Sequence, residues 1–465
     1  MAKHYELAII GAGPGGYVAA IRAAQLGFKT VCIDKRETLG GTCLNVGCIP
    51  SKALLQSTEL LARVQRNGKE LGIDCSDLRY SFRQMMDRKK HVVKSLVDGI
   101  AGLFKKNQVD FIQGEAEFIN PHLLKVKKGE QTEEIEADSI ILATGSEPIA
   151  LPFLPFDERQ IVSSTGALSL PQVPERLVVI GGGVIGVELA SVYSRLGASV
   201  TVVEMLDHIC PAMDKTLSKQ LLQVLQKQGI QFHLSTKVAT AVVQPDEVIL
   251  TIEGNEELRN LSAQVVLVAV GRRPYSSGLG LEKIGIQPDR RGFVPVDANL
   301  RTAHSHIFAI GDLIDGSMLA HRASEEGVAV VEWLKGGQPL INYMAIPNVI
   351  YTDPEVAAVG MTEQDAREAG LAVLVGTSFF KGNPRARCSD ETEGLVKIVG
   401  DQQSGRLVGM HIIGAHASEL IAEGMMAMQK RATLKEIGEA PNAHPTLSEA
   451  IKEAALHALG RPIHL

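Results

Sequence analysis

Aromatic residues are scarce, at 4% of 465 positions with a single tryptophan, and cysteine occurs only six times. So few cysteines cannot staple a chain of this length, which excludes a secreted disulfide scaffold. Four of them, Cys32, Cys75, Cys210 and Cys388, stand apart with neither pairing nor metal-ligand spacing. No uncharged apolar run approaches the roughly 20 residues of a membrane-spanning helix, so no membrane partner is expected. Charge of one sign is not in excess either: 47 basic against 53 acidic side chains leave a formal charge of −6. Nucleic acid and anionic membranes therefore have no electrostatic claim as the main partner. The first ten residues run straight into a glycine motif with no room for a signal peptide, so a cytoplasmic protein is expected, or a mitochondrial-matrix one if a targeting segment has been removed.

What is present is ordinary globular composition over a length that suggests about three domains. Leu7–Ile10 reads as a short apolar strand, followed by Gly11-Ala-Gly13-Pro-Gly-Gly16, an Ala-rich helix up to Gly27, and a second strand, Thr30–Ile33, that ends in Asp34. The same grammar returns at Leu177–Ile180, Gly181-Gly-Gly183-Val-Ile-Gly186, a helix to Gly197, and Ser199–Val203 closing on Glu204. First glycine to acid spans 23 residues in both copies, since 34 − 11 and 204 − 181 are equal. Two βαβ units with equal spacing point to two dinucleotide sites in one polypeptide. The segments 139–148 and 264–274 read as buried strands that break at a glycine turn, at Gly145 and Gly271, before a proline. Another strand ends at Gly311-Asp312, and segments such as 394–399 and 407–413 beyond Pro347 suggest a separate α+β domain. Met86, Val93, Leu96, Ile100 and Leu103 are expected to form the buried face of a helix.

In each Gly-x-Gly-x-x-Gly the first glycine permits the tight turn, the second lets the backbone approach a pyrophosphate, and the third lets helix and strand pack closely. A single such motif can equally be a bare glycine turn; the full βαβ context of both favours phosphate on the positive helix N-terminus. Asp34 and Glu204 stand where a carboxylate bonds ribose hydroxyls, and Glu204 would repel the extra phosphate of NADP. Cys43 and Cys48, in Gly40-Gly-Thr-Cys-Leu-Asn-Val-Gly-Cys-Ile-Pro-Ser-Lys52, lack zinc spacing or a second ligand cluster. They can close a redox disulfide, although spacing alone also allows a buried structural pair. His444 lies five residues before Glu449, an arrangement that suits a general acid/base held by a carboxylate. The same stretch can also be a capping box with Thr446 as the cap.

Together these residues resemble the flavin-dependent pyridine nucleotide-disulfide oxidoreductases over essentially the whole chain, in the family's order. The resemblance implies an α/β protein with two Rossmann-like dinucleotide-binding domains and a C-terminal α+β dimerisation domain. Its parts would be an FAD domain (1–147), an NAD domain (148–274), a central segment completing the FAD region (275–346) and an interface domain (347–465). It implies FAD on Gly11, Gly13, Gly16 and Asp34, with Asp312 on the ribityl chain, and NAD on Gly181, Gly183, Gly186 and Glu204. Thr144, Gly145, Gly271 and Met318-Leu319-Ala320-His321 follow the family's cofactor-binding pattern, and Lys52 with Glu188 matches a pair near the reacting ends of flavin and nicotinamide. Cys43 matches the interchange thiol and Cys48 the thiol beside the flavin, while His444, held by Glu449, would reach them from the other subunit of a homodimer. No metal is implied. The implied reaction is oxidation of protein-bound dihydrolipoamide with reduction of NAD⁺, and the implied partners are lipoyl domains of 2-oxoacid dehydrogenase or glycine-cleavage complexes. The alternatives are a disulfide reductase of glutathione or mercuric type and a binding-only scaffold. Glu204 without following basic residues opposes the glutathione type, the lack of cysteine after Cys388 opposes the mercuric type, and the intact cysteine and histidine chemistry opposes the scaffold. Two departures stand out: Asn442 where many such enzymes carry a second histidine, and Asp34 where glutamate is common.

Overall fold

A computed structural model of the chain describes residues 2–74, 77–254 and 257–464, so Cys75 lies outside the described residues. The chain divides into two compact units, one of Met1–Ala53, Arg83–Ile149 and Gly271–Ile341, the other of Leu54–Phe82, Ala150–Val270 and Asn342–Leu465.

In the first unit the strand Lys3–Ile10 pairs in parallel with Thr30–Asp34 on one side and Gln131–Leu142 on the other. Leu7, Ala8, Ile9 and Ile10 are all buried, as expected of a strand covered on both faces. Gln131–Leu142 divides its free edge. Residues 131–136 pair antiparallel with Leu123–Lys128, and residues 140–142 pair in parallel with Ile307–Ala309. Among the described residues this sheet has seven strands, with Asp110–Gln113 at its far edge and Glu115–Asn120 closing the antiparallel end.

The helix Pro14–Gln25 starts on a proline, whose fixed φ suits the first helical position, and buries Gly15, Gly16, Ala19, Ala20 and Ala23. It packs on Ala320–Leu334 through residues with almost no side chain: a Cβ on Gly327 would lie 2.6 Å from the Gly15 carbonyl oxygen, and one on Gly15 would lie 3.0 Å from that of Ala323.

The helix Phe82–Asn107 corrects one expectation. Met86 and Ile100 are buried, but Leu96 and Leu103 are both 43% exposed. The inward face runs through Val97, Ile100 and Phe104, which join the unit's core. Leu96 and Leu103 each precede a member of that face by one residue, a rotation of about 100° around the helix.

The second unit repeats the plan. Arg176–Ile180 pairs in parallel with Ser199–Val203 and Val265–Val268, and Gln231–His233 and Ile161–Val162 complete five strands among the described residues. An antiparallel meander, Thr236–Val243, Val248–Gly254 and Glu257–Ala263, takes the place of the antiparallel end of the first sheet. The segment after Pro347 forms an antiparallel sheet, in which Leu395–Asp401 and Leu407–Gly414 are inner strands. Helices Ala417–Gln429, Leu434–Glu439 and Glu449–Ala458 share its apolar core.

Candidate active site

Each glycine of the first loop has its own reason. Gly11 has φ +107°, and a Cβ there would stand 2.2 Å from the Ala143 carbonyl oxygen. At Gly16 a Cβ would stand 1.7 Å from the Gly11 carbonyl oxygen, so only glycine lets the helix close on the turn. Around Gly13, the helix N-cap, a Cβ would meet nothing within 4 Å, and no side chain caps the helix there. The loop thus offers bare backbone and a helix's positive end to open space, the cradle a pyrophosphate needs. Asp34 fixes the loop from the next strand: its carboxylate accepts from Ala12 N at 2.7 Å and Arg36 N at 2.8 Å.

The loop at 181–186 has the same construction. Gly181 has φ +109°, a Cβ on Gly186 would lie 2.0 Å from the Gly181 carbonyl oxygen, and Gly183 again faces open space. Glu204 accepts from Gly182 N at 2.6 Å and Leu206 N at 2.8 Å, matching Asp34 bond for bond. Glu188, on the following helix, is buried and accepts from Tyr351 N at 3.0 Å.

Cys43 sits on the short helix Gly41–Val46, and Cys48 is the first residue of the 20-residue helix Cys48–Asn67. Gly47 makes the reversal between them, where a Cβ would lie 2.8 Å from the Thr42 carbonyl oxygen and 3.2 Å from Cys43 Cα. Asn45 braces the turn by donating to the carbonyls of Leu39 and Gly41. Both cysteines are present as thiols rather than as a disulfide, and a hydrogen bond joins their side chains. That hydrogen bond, followed by burial, pushes the Cys43 thiol above its ordinary range against the pull of Lys52. Cys48, as the first residue of its helix, stands at the positive end of a helix dipole.

Farther along the first unit, Gly145 has φ +73° and Thr144 donates to the Tyr275 carbonyl. Gly271, with φ +130°, accepts from Ile149 N. Asp312 lies in the turn Gly311–Leu313 and accepts from the Ser146 hydroxyl at 2.5 Å. Arg272 donates from Nε to the same hydroxyl at 2.8 Å and from Nη2 to the Ser146 carbonyl at 2.6 Å. Met318 and Leu319 lead into the helix Ala320–Leu334, where Leu319 is the N-cap and Ala320 and His321 are the first residues. The buried pair Arg322 and Glu326 ties this helix to the turn: Glu326 accepts from Gly311 N, and Arg322 donates to the carbonyls of Asp315 and Ser317. Neither Arg272 nor this pair was marked by motif or spacing. The local signal that could have found Arg272 is its place directly after the turn glycine Gly271.

In the second unit His444 Nδ1 lies 2.9 Å from Glu449 Oε1, and Glu449 Oε2 accepts from Thr446 N. A carboxylate only accepts, so Nδ1 carries the hydrogen and Nε2, on a ring whose side chain is 68% exposed, is the basic nitrogen. Burial raises the Glu449 carboxyl, but the bonds from Thr446 and His444 outweigh it and hold the group below the usual carboxylate range. The capping-box expectation holds in its Glu449 half and fails in its Thr446 half. The helix begins at Glu449 with Ser448 as its N-cap, and the Thr446 hydroxyl donates to the Ala443 carbonyl. Glu449 thus keeps one half of the box, the bond from Thr446 N to Oε2, and turns its other oxygen to His444.

The first unit thus gathers Gly11, Gly13, Gly16, Asp34, Cys43, Cys48, Lys52, Asp312 and the 318–321 segment, while the second holds the other glycine loop, Glu188, Glu204 and the His444–Glu449 pair. Residues 5–327 match the family described as pyridine nucleotide-disulphide oxidoreductase, and residues 346–455 match its dimerisation domain. The chain is 50% identical over 465 residues to the mitochondrial dihydrolipoyl dehydrogenase of Schizosaccharomyces pombe, covering 99% of this chain and 91% of that one. It is likewise 50% identical to the dihydrolipoamide dehydrogenase of Chaetomium thermophilum, over 99% of this chain and 92% of that one. The solved structure of LpdA from Mycobacterium tuberculosis superimposes with a TM-score of 0.90 at 30% identity, over 98% of this chain and 99% of that one. The chain belongs to the pyridine nucleotide-disulphide oxidoreductases: it is an enzyme that uses FAD and NAD, built of dinucleotide-binding domains followed by a dimerisation domain.

Proposed function

We propose that the protein oxidises dihydrolipoyl groups carried on the lipoyl domains of 2-oxoacid dehydrogenase or glycine-cleavage complexes and passes the electrons to NAD⁺, working as a homodimer. The observation that carries this reading is the hydrogen-bonded Cys43–Cys48 pair at the start of a helix, in the same unit as a dinucleotide-type glycine loop. The names of the relatives support the substrate.

In this reading Gly11, Gly13, Gly16, Asp34, Lys52, Thr144, Gly145, Asp312 and Met318–His321 hold FAD. Gly181, Gly183, Gly186, Glu188, Glu204 and Gly271 hold NAD. When bound, FAD supplies the two-electron link between the cysteine pair and the nicotinamide. His444 Nε2 takes the proton of one substrate thiol, and the thiolate so formed attacks Cys43 Sγ in the disulfide form of the pair. The Cys43–Cys48 bond breaks and Cys48 leaves as a thiolate. The second substrate thiol attacks the substrate sulfur now bound to Cys43, closes the lipoyl disulfide, and returns Cys43 as a thiol carrying that second proton. Dihydrolipoyl group and NAD⁺ thus give lipoyl disulfide, NADH and one proton. Glu449 holds the imidazole in the tautomer this needs, and His444 serves the cysteines of the partner subunit. The compartment is the one that holds the lipoyl partners: the cytoplasm, or the mitochondrial matrix for a processed chain.

Glu204 favours NAD over NADP, because its carboxylate is fixed on the loop and neither Met205 nor Leu206, both exposed, can hold a phosphate. The test is the initial rate of NADH formation by FAD-loaded protein given dihydrolipoamide, with NADP⁺ in parallel. Turnover with NAD⁺ is expected, and no turnover with either nucleotide would overturn the substrate assignment.

A further inference from the structure

We infer that Arg272 is a positioning residue of the proposed flavin site, which it serves by fixing the Asp312 carboxylate through Ser146. The inference rests on the reading that Asp312 meets FAD. Ser146 is buried, and its single hydroxyl hydrogen is committed to Asp312 Oδ2. That commitment needs another group to occupy the lone pairs of the hydroxyl, and Arg272 Nε does so while Nη2 clamps the carbonyl of the same residue. A guanidinium presents two donors in one plane, so the side chain of Ser146 can neither rotate away nor reverse its bond. One Asp312 oxygen is thereby engaged and the other is left to accept from a ligand hydroxyl. The backbone of the same turn is held from its other side by Glu326, which accepts from Gly311 N. Asp312 is thus fixed at both its main chain and its side chain.

The position of Arg272 follows from pairing, since its strand, Arg272–Pro274, lies antiparallel to Ser146–Pro148. Burial pulls its guanidinium below the ordinary range, and the charges of Asp312, Cys48 and Glu147 oppose that pull, so Arg272 lies within electrostatic reach of that sulfur as well as of the turn. A cation in that place favours a thiolate on Cys48.

The experiment measures the affinity of the apoprotein for FAD, by flavin fluorescence, in Arg272→Met, Arg272→Lys, Ser146→Ala and Asp312→Asn. In the FAD-loaded, two-electron-reduced protein it also measures the pH at which the long-wavelength absorbance of a thiolate beside oxidised flavin appears. Ser146→Ala is expected to weaken FAD binding roughly tenfold, the scale of a lost hydrogen bond to a charged group, without moving that pH. Arg272→Met should weaken binding to a similar extent and raise the pH by about one unit. Arg272→Lys should weaken binding while leaving the pH in place, because the charge stays and the two-donor grip is lost. If Arg272→Met does not fold, the lysine and Ser146 variants decide. FAD affinity within twofold of the parent protein in both Ser146→Ala and Arg272→Lys, with Asp312→Asn weakened, would overturn the inference. Unchanged affinity in Asp312→Asn would instead overturn the assignment of Asp312 to the flavin site.

Discussion

Lys397 Nζ lies 2.9 Å from Asp214 Oδ2, a buried ion pair whose members are 183 residues apart in the chain. Asp214 also caps the helix Lys215–Lys227, and Lys397 meets Glu363 at 2.9 Å. His411, directly across the sheet from Lys397, is fully buried; burial pushes its imidazole down, so it adds no second positive charge. Lys397→Met leaves Asp214 buried without its cation and should destabilise the protein by about 3–5 kcal/mol. Denaturant unfolding followed by far-UV dichroism measures this, and a loss under 1 kcal/mol would contradict it.

Gly47→Ala places a methyl against a backbone oxygen that cannot step aside. The expected cost is about 1–3 kcal/mol of stability, together with a larger fall in dithiol turnover as Cys43 and Cys48 are pushed apart. Cys43→Ser should abolish that turnover with FAD still bound, so the two variants can be compared at equal flavin content. Full activity in Cys43→Ser would sink the proposed mechanism.

Glu204→Gln keeps the acceptor on Gly182 N but removes the charge, whereas Glu204→Ala removes both. KM for NAD⁺ should rise roughly tenfold in the alanine variant with kcat within about twofold, and the preference over NADP⁺ should narrow in both. Steady-state kinetics with the two nucleotides separates these outcomes.

Acid should expose the role of Glu449. Its folded-state carboxyl lies below the usual value of about 4.3, so its stabilising contribution is complete above that pH and is lost as pH falls through the lower folded value. Glu449→Gln has no such group. Its melting temperature should therefore fall less than that of the parent protein on acidification from pH 5 to pH 3. Parallel melting curves against pH would contradict the depressed pKa.

Both βαβ units, their glycines and their acids were legible in sequence because each depends on contacts inside some 25 residues. The Cys43–Cys48 and His444–Glu449 pairs were legible for the same reason. What the sequence hid is non-local. Ser146, Arg272 and Asp312 meet across 126 and 166 residues, and no local pattern marks such a meeting. The apolar stripe on Phe82–Asn107 misled because Leu96 and Leu103 satisfy helical periodicity, yet which face turns inward is set by the core that receives Val97 and Phe104. Thr446 and Glu449 fit a capping box by spacing, and Glu449 does accept from Thr446 N, but its other oxygen bonds His444, the Thr446 hydroxyl turns away, and the helix starts later than the pattern implies.

The crossing of Pro14–Gln25 with Ala320–Leu334 rests on Gly15, Ala19, Ala323 and Gly327, where backbone meets backbone. Longer side chains at such a contact can change rotamer and keep a loosened joint partly filled, but glycine and alanine have no rotamers to change. The joint therefore has no side chain that could refill a gap between the two helices, and a larger residue at Gly15 or Gly327 fits only if they separate.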